Sequence, residues 1–301
     1  MCKRQPQMAP CDQVELSIEQ VDKVIKDASR YFESMNSCPV EKIRWHNDLA
    51  AAIPVIPFEE LEFTGILGRG RFGVVFEAFR GRGRVAAKLL IPVRGEDAQT
   101  LSNRFQQELQ IWGQLFHPNI LQLTGYAVNV RLKRYAFITE ACDTTLARYI
   151  HDQREKPLST KEVVSIAKGL AAALEYLHNR DITHCDVKPE NILLLDACVK
   201  LCDFDGCVVA GGGWDPVATG VLMTSPRYMA PELAKLPVCV GPHCDMFSFG
   251  VVVWEMVESK MPFQELSVDD LLTAVTTNKR EALTNNFASH PVFVRTLVLK
   301  C

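Results

Sequence analysis

The chain of 301 residues is 48% hydrophobic and 23% charged, the make-up of a globular protein with one large domain or two smaller ones. Its net charge of −3 gives no signal for binding nucleic acid, and no apolar run approaches the ~18 residues of a membrane span. The opening residues lack an apolar secretion signal, and the 11 cysteines, an odd number, are read as reduced thiols of an intracellular, cytoplasmic protein.

Residues 12–36 read as a helix. Asp12 and Glu15 have the spacing of a capping box, and Val14, Ile18, Val21, Ile25, Ala28, Phe32 and Met35 follow at helical spacing. Val24 and Tyr31 widen the apolar stripe beyond a coiled-coil seam. Packing on a bundle or on the main domain is therefore favoured over self-association, with a partner contact left open. A second helix is expected from Val40 to Ile53, and Pro54 and Pro57 turn its end into a linker.

From Phe58 the pattern becomes one of short strands. Leu61–Leu67 runs into Gly68-Arg69-Gly70-Arg71-Phe72-Gly73, where missing Cβ atoms let backbone amides approach phosphate oxygens. β-Branched and aromatic residues follow, so the motif reads as a hairpin over a ligand or as a plain glycine turn, and not as a dinucleotide motif opening a helix. Lys88 lies in the apolar strand Arg84–Leu90, either as an edge residue or as a phosphate ligand held by a carboxylate. Glu108, in a helix expected from Leu101 to Leu115, is the natural carboxylate. Further strands are read at Leu121–Tyr126 and Ala136–Thr139, and a long helix from Lys161 to Asn179.

The stretch His184-Cys185-Asp186-Val187-Lys188-Pro189-Glu190-Asn191 places a carboxylate, an amine and an amide on one short loop. That set suits a site handling a hydroxyl, a phosphate and a metal together. Asp203-Phe204-Asp205-Gly206 adds a second carboxylate. Gly211–Gly213 marks a loop before Ser225-Pro226-Arg227-Tyr228-Met229-Ala230-Pro231-Glu232, and Asp245 opens a very apolar helix. Cys239, His243 and Cys244 come nearest to metal-ligand spacing, but no pair forms C-x-x-C. The two cysteines are read as buried free thiols, and the set is not read as a zinc site.

In this order the motifs resemble the eukaryotic protein kinase family from about Phe58 onward: glycine-rich loop, Val-Ala-x-Lys, helix Glu, His-x-Asp-x-Lys-x-x-Asn, Asp-Phe-x, Ala-Pro-Glu and an Asp, Asp245, at the start of a buried helix. The resemblance implies an α+β, bilobal fold: a small, mostly antiparallel β N-lobe with one helix over residues 58–142, and a helical C-lobe over 143–301. A helical extension and linker over 1–57 precedes them. It implies ATP and Mg2+ as cofactors, with Mn2+ as an alternative ion, and a protein substrate carrying Ser or Thr.

The roles it implies are specific. Leu67, Gly68, Gly70 and Gly73 would cover ATP, and Lys88, fixed by Glu108, would hold its phosphates. Val75 and Ala86 would pack on adenine from one side and Leu193 from the other, beside Thr139 and the backbone of Glu140 and Cys142. Asp186 would be the catalytic base, Lys188 would steady the transferred phosphate, and Asn191 and Asp203 would hold metal. His184 and Phe204 would pack in a hydrophobic spine with Trp112 and Leu123. Lys188 and Ser225 are similar to serine/threonine kinases. Leu121–Tyr126 and Ser248–Glu255 look like the tyrosine-kinase-like branch.

Three departures qualify the resemblance. Cys185 replaces the Arg that pairs an activation-loop phosphate in most members. Asp205 replaces a glycine, so slower catalysis or restricted loop inversion is expected from a residue asked to enter the left-handed region. The C-lobe reads as truncated at Cys301, without its final helix and the Arg that pairs the Glu of Ala-Pro-Glu. Glu232 is then expected either to be a costly unpaired carboxylate or to find another partner, Arg295 being a candidate. The leading expectation is an active Ser/Thr kinase. The rivals are a pseudokinase or ATP-binding scaffold module, and a chain whose N-terminal helix recruits a partner.

Thr219, Thr224 and Ser225 are the regulatory candidates. Since a thiol at position 185 cannot receive a phosphate, Ala or acidic substitutions at Thr219 and Thr224 are expected to change activity less than about tenfold, ~1.4 kcal/mol in barrier. Steady-state phosphotransfer by the purified variants checks this.

Overall fold

The structure, a computed structural model, describes residues 53–93, 96–129, 131–152, 156–209, 225–234, 240–277, 279, 287–288 and 291–300. The helix expected over 12–36, all but the last residue of the one expected to Ile53, Gly211–Gly213, Thr219, Thr224 and Cys239 lie outside them. The described residues divide into two units. One takes residues 53–114 and Leu123–Ala141, the other Leu115–Gln122 and the chain from Cys142 onward.

In the first unit, alternation of apolar residues produces a five-stranded antiparallel sheet of order β1-β2-β3-β5-β4. Its strands are β1 (Glu62–Arg69), β2 (Gly73–Arg80), β3 (Gly83–Leu90), β4 (Leu123–Asn129) and β5 (Arg134–Glu140). The glycine-rich stretch is a hairpin between β1 and β2, closed by Gly70 N donating to Gly73 O at 2.9 Å. One sheet face carries Val74, Phe76, Ala87, Leu89, Ala136 and Ile138 in a core completed by Ile56, Leu61 and Ala127. The period of two sends their neighbours to the other face. There Val75 is opposite Lys88, and Ala86 is opposite Thr139.

Helix α1 (Ala98–Trp112) begins earlier than the apolar period from Leu101 indicates, because the Asp97 side chain caps it, accepting from Thr100 N at 2.7 Å. Leu101, Phe105, Glu108, Leu109 and Trp112 form its buried stripe. The Phe105 ring lies 4.9 Å from Phe137 and from Tyr135, and 5.9 Å from Tyr126.

In the second unit, α2 (Leu146–His151) precedes α3 (Thr160–His178), which opens on a complete capping box of Ser159 and Glu162. The strands are β6 (Thr144–Thr145), β7 (Ile182–Thr183), β8 (Ile192–Leu195), β9 (Cys198–Leu201) and β10 (Val208–Val209), paired as β6-β8-β9 and β7-β10. Gly169 lets α3 approach β9: a Cβ there would lie 3.0 Å from Val199 Cβ. The strand expected at Leu121–Tyr126 starts two residues later. Leu121 N donates instead to Leu201 O at 2.9 Å, which draws Leu121 to β9 in the second unit. Helix α4 (Pro242–Glu258) is buried almost all round, as its composition requires, and starts at Pro242, before the expected Asp245. Helices α5 (Val268–Thr276) and α6 (Val292–Lys300) follow.

Phe105→Ala removes the ring on which three aromatic neighbours of the first unit close. It is expected to cost about 3–5 kcal/mol in stability, read as a fall in the denaturant midpoint monitored by fluorescence.

Candidate active site

The loop from His184 to Lys188 leaves β7 and enters the 3₁₀ turn Pro189–Asn191. To make that passage Cys185 adopts φ +66°, a left-handed conformation costing about 1–2 kcal/mol for a residue with a Cβ. Asp245, on the first turns of α4, holds it there. Its Oδ2 accepts from His184 N and its Oδ1 from Cys185 N, both at 2.8 Å. His178 Nε2, from the end of α3, also lies 2.8 Å from Oδ2. Asp245 is 0% exposed, so this carboxylate depends entirely on those partners.

His184 is buried as well, and its ring has both nitrogens engaged. Nδ1 accepts from Asp186 N at 3.3 Å, which leaves the proton on Nε2, donated to Cys202 O at 3.0 Å. Its ring meets Phe204 edge-on at 5.5 Å. Cys185 is inert. Burial, and then the Asp245 charge, push its thiol well up, and Sγ rests 3.6 Å from Thr183 O.

Three of the residues singled out by sequence, Lys188, Asn191 and Ser225, come together on Asp186. Oδ1 accepts from Ser225 N at 3.1 Å, and Oδ2 from Lys188 Nζ at 2.5 Å and from Asn191 Nδ2 at 3.0 Å. Lys188 Nζ donates on to Ser225 Oγ at 2.9 Å, and Asn191 Nδ2 also donates to Asp186 O at 2.9 Å. The carboxylate is thus aimed by a cation, an amide and a backbone N–H, yet keeps lone pairs for a hydroxyl proton. With its nitrogen committed to Asp186, Asn191 presents Oδ1 as an acceptor. Together with the Asp203 carboxylate this is a hard-oxygen donor set that fits a divalent ion such as Mg2+. Cys202 N donates to Asn191 O at 3.0 Å, tying the strand before Asp203 to the loop.

The expected strain at Asp205 is misplaced. Asp203 takes the positive φ, +70°, whereas Asp205 and Gly206 do not lie in that region. The left-handed residue is the one whose carboxylate must be aimed, so the glycine replacement at 205 carries no such cost.

In the first unit, Lys88 Nζ lies 2.8 Å from Glu108 Oε1, with Glu108 fully buried in α1. Register puts Val75, Ala86, Lys88 and Thr139 on the same sheet face. The three glycines are not equivalent. A Cβ on Gly73 would lie 2.8 Å from Leu89 O, so the fold itself requires that glycine. Gly68 has nothing within 4 Å and Gly70 only Gly73 O at 3.8 Å, so no packing demands them and the space beside them is open. Leu67 is exposed at the end of this hairpin. Glu140 ends β5, Cys142 begins the second unit's run, and Leu193 lies half-buried in β8.

Glu232 is neither buried nor unpaired. Its side chain is one-third exposed, and its partners among the described residues are His243 and Cys244, not Arg295. The penalty expected of a buried unpaired carboxylate therefore does not apply. Arg227 gives Nη1 to the carbonyls of Pro262 and Phe263, both at 2.6 Å. Two contributors carried no assigned role from sequence: His178 and Asp245. Their signal was their place, one just before the loop and one opening the apolar helix.

Residues 61–293 match the protein kinase domain family. The chain is 31% identical over 211 residues to the leucine-rich repeat receptor-like protein kinase PXC2 of Arabidopsis thaliana, covering 68% of this chain and 21% of that one. It is 32% identical over 219 residues to the serine/threonine-protein kinase TIO of the same plant, covering 71% and 16%. To the serine/threonine/tyrosine-protein kinase HT1, also from Arabidopsis thaliana, it is 28% identical over 249 residues, covering 79% and 58%. The chain spans less than two thirds of each of these relatives. No described helix is long and apolar enough to cross a membrane. Motif order, the α+β fold and this match over most of the length agree: the chain belongs to the eukaryotic protein kinase family.

Proposed function

We propose that this chain is an active protein kinase that transfers the γ-phosphate of ATP to a Ser or Thr hydroxyl of a protein. The observation that carries the reading is the network on Asp186, in which Lys188, Asn191 and Ser225 all converge on one carboxylate. The hydroxyl proton passes to Asp186 as the substrate oxygen bonds the γ-phosphorus and the bond to the β-phosphate oxygen breaks, releasing ADP. Lys188, already within reach of Asp186, places positive charge where charge develops on the transferred group. Lys88, held by Glu108, aligns the phosphates, under a hairpin whose Gly68 and Gly70 leave room for them. Asn191 and Asp203 would hold Mg2+, which when bound would offset phosphate charge.

The Lys188–Ser225 bond supports Ser/Thr over Tyr acceptors, in line with the name of TIO, whereas that of HT1 also includes tyrosine. The 11 cysteines, an odd number scattered over both halves of the chain, support a reducing, cytoplasmic setting. The whole chain's substrate is a protein of unspecified sequence.

Asp186→Asn keeps the shape of the carboxylate and removes its basicity. It is expected to lower phosphotransfer from ATP to a generic protein by about 10²-fold or more, with wild-type product that is phosphoserine or phosphothreonine. Equal signal from both proteins would favour the scaffold reading. Phosphotyrosine alone would remove the acceptor assignment.

A further inference from the structure

Away from the Asp186 network, three chemically different ligand atoms meet. Glu232 lies in the 3₁₀ turn Pro231–Ala234, and His243 and Cys244 lie in the first turn of α4. Glu232 Oε1 is 3.5 Å from His243 Nε2 and 3.6 Å from Cys244 Sγ, and all three ligand atoms lie within 4.8 Å of one another. The N···O separation exceeds the ~2.7–3.2 Å of a hydrogen bond. It is close to a tetrahedron edge, as is the Cys244 Sγ separation. With zinc–ligand bonds of about 2.0–2.3 Å, N···O and S···O edges come to about 3.4 and 3.6 Å.

The donor set selects the ion. Thiolate, imidazole and carboxylate together suit Zn2+, whereas Mg2+ and Ca2+ take oxygen ligands. The head of a helix repels a bare cation, but a carboxylate and a thiolate neutralise Zn2+ there. Cys244 is buried, while the His243 side chain is 59% exposed and that of Glu232 33%, so an ion has a path from solvent. Sequence spacing had set Cys239 beside His243 and Cys244 without reading a metal site there. The fold supplies Glu232.

We propose that Glu232, His243 and Cys244 form a Zn2+ site with a fourth position open to water. The ion takes the place of the Cys244 thiol proton, which leaves to solvent. Cys244 directly precedes Asp245, whose carboxylate holds the amides of His184 and Cys185 and the ring of His178. Zinc therefore sits at the head of the helix that fixes the catalytic loop.

Co2+ tests the site, because cobalt–thiolate coordination gives a near-ultraviolet charge-transfer band that oxygen ligands do not. The full chain, with reduced thiols, is titrated in excess Mg2+ so that hard-oxygen sites are filled. One equivalent of Co2+ is expected to develop the band, and one equivalent of Zn2+ to abolish it. Cys244→Ser should remove the band. His243→Gln, at an exposed position that does not threaten folding, should weaken Co2+ binding by at least about tenfold. No band in the wild type, or a band of unchanged affinity in His243→Gln, overturns the proposal.

Discussion

The second unit depends on one buried carboxylate. Asp245 is wholly enclosed, so its charge is tolerable only with its partners in place. Those partners come from two separate elements: two successive amides of the catalytic loop and a ring at the end of α3. The arrangement works in both directions. The loop supplies the donors that make a buried charge acceptable, and the charge holds the loop in a left-handed turn that Cys185 resists. From that turn follow the aim of Asp186 and the single tautomer of His184. A helix that is otherwise an apolar core element thereby sets the geometry of a polar loop.

The first unit rests on a different balance. Lys88 and Glu108 are an ion pair with little solvent, where desolvation offsets much of the attraction. Such a pair is a poor source of stability. Its value lies in presenting an ammonium group at a defined place on one sheet face, beside Val75 and Ala86. Stability comes from the opposite sheet face and from the aromatic cluster around Phe105. Packing and polar placement are thus assigned to alternating residues of the same strands.

The departures from the family pattern have separate physical meanings. Cys185 contributes backbone geometry and no charge, because its amide holds Asp245 and its thiol is buried against Thr183 O. Asp205 replaces a glycine at a position where no glycine is needed, since the chain reverses at Asp203. Among the described residues, Glu232 pairs with a histidine and a thiol that no pairwise spacing had linked to it.

Much of the fold and site was legible in the residue order. The long helix read from Lys161 starts one residue earlier, at Thr160, the short strands fall close to where they were read, and Asp186, Lys188 and Asn191 lie close enough along the chain that any loop brings them together. Other features were not. The start of α1 was missed because Asp97 caps it before its apolar period begins, and Leu121 was assigned to a strand because only the partner at Leu201 distinguishes the two sheets. The sequence by itself determined the chemistry on hand: which side chains carry charge, which turns tolerate glycine, and the family to which their order belongs. The resemblance anticipated Ser225 with Lys188, but only the tertiary structure decided the other meetings over long separations: Asp245 with the loop, and Glu232 with His243 and Cys244. The reason is that such contacts depend on where whole helices pack, and helix packing is set by the sum of many buried apolar contacts and not by any local motif.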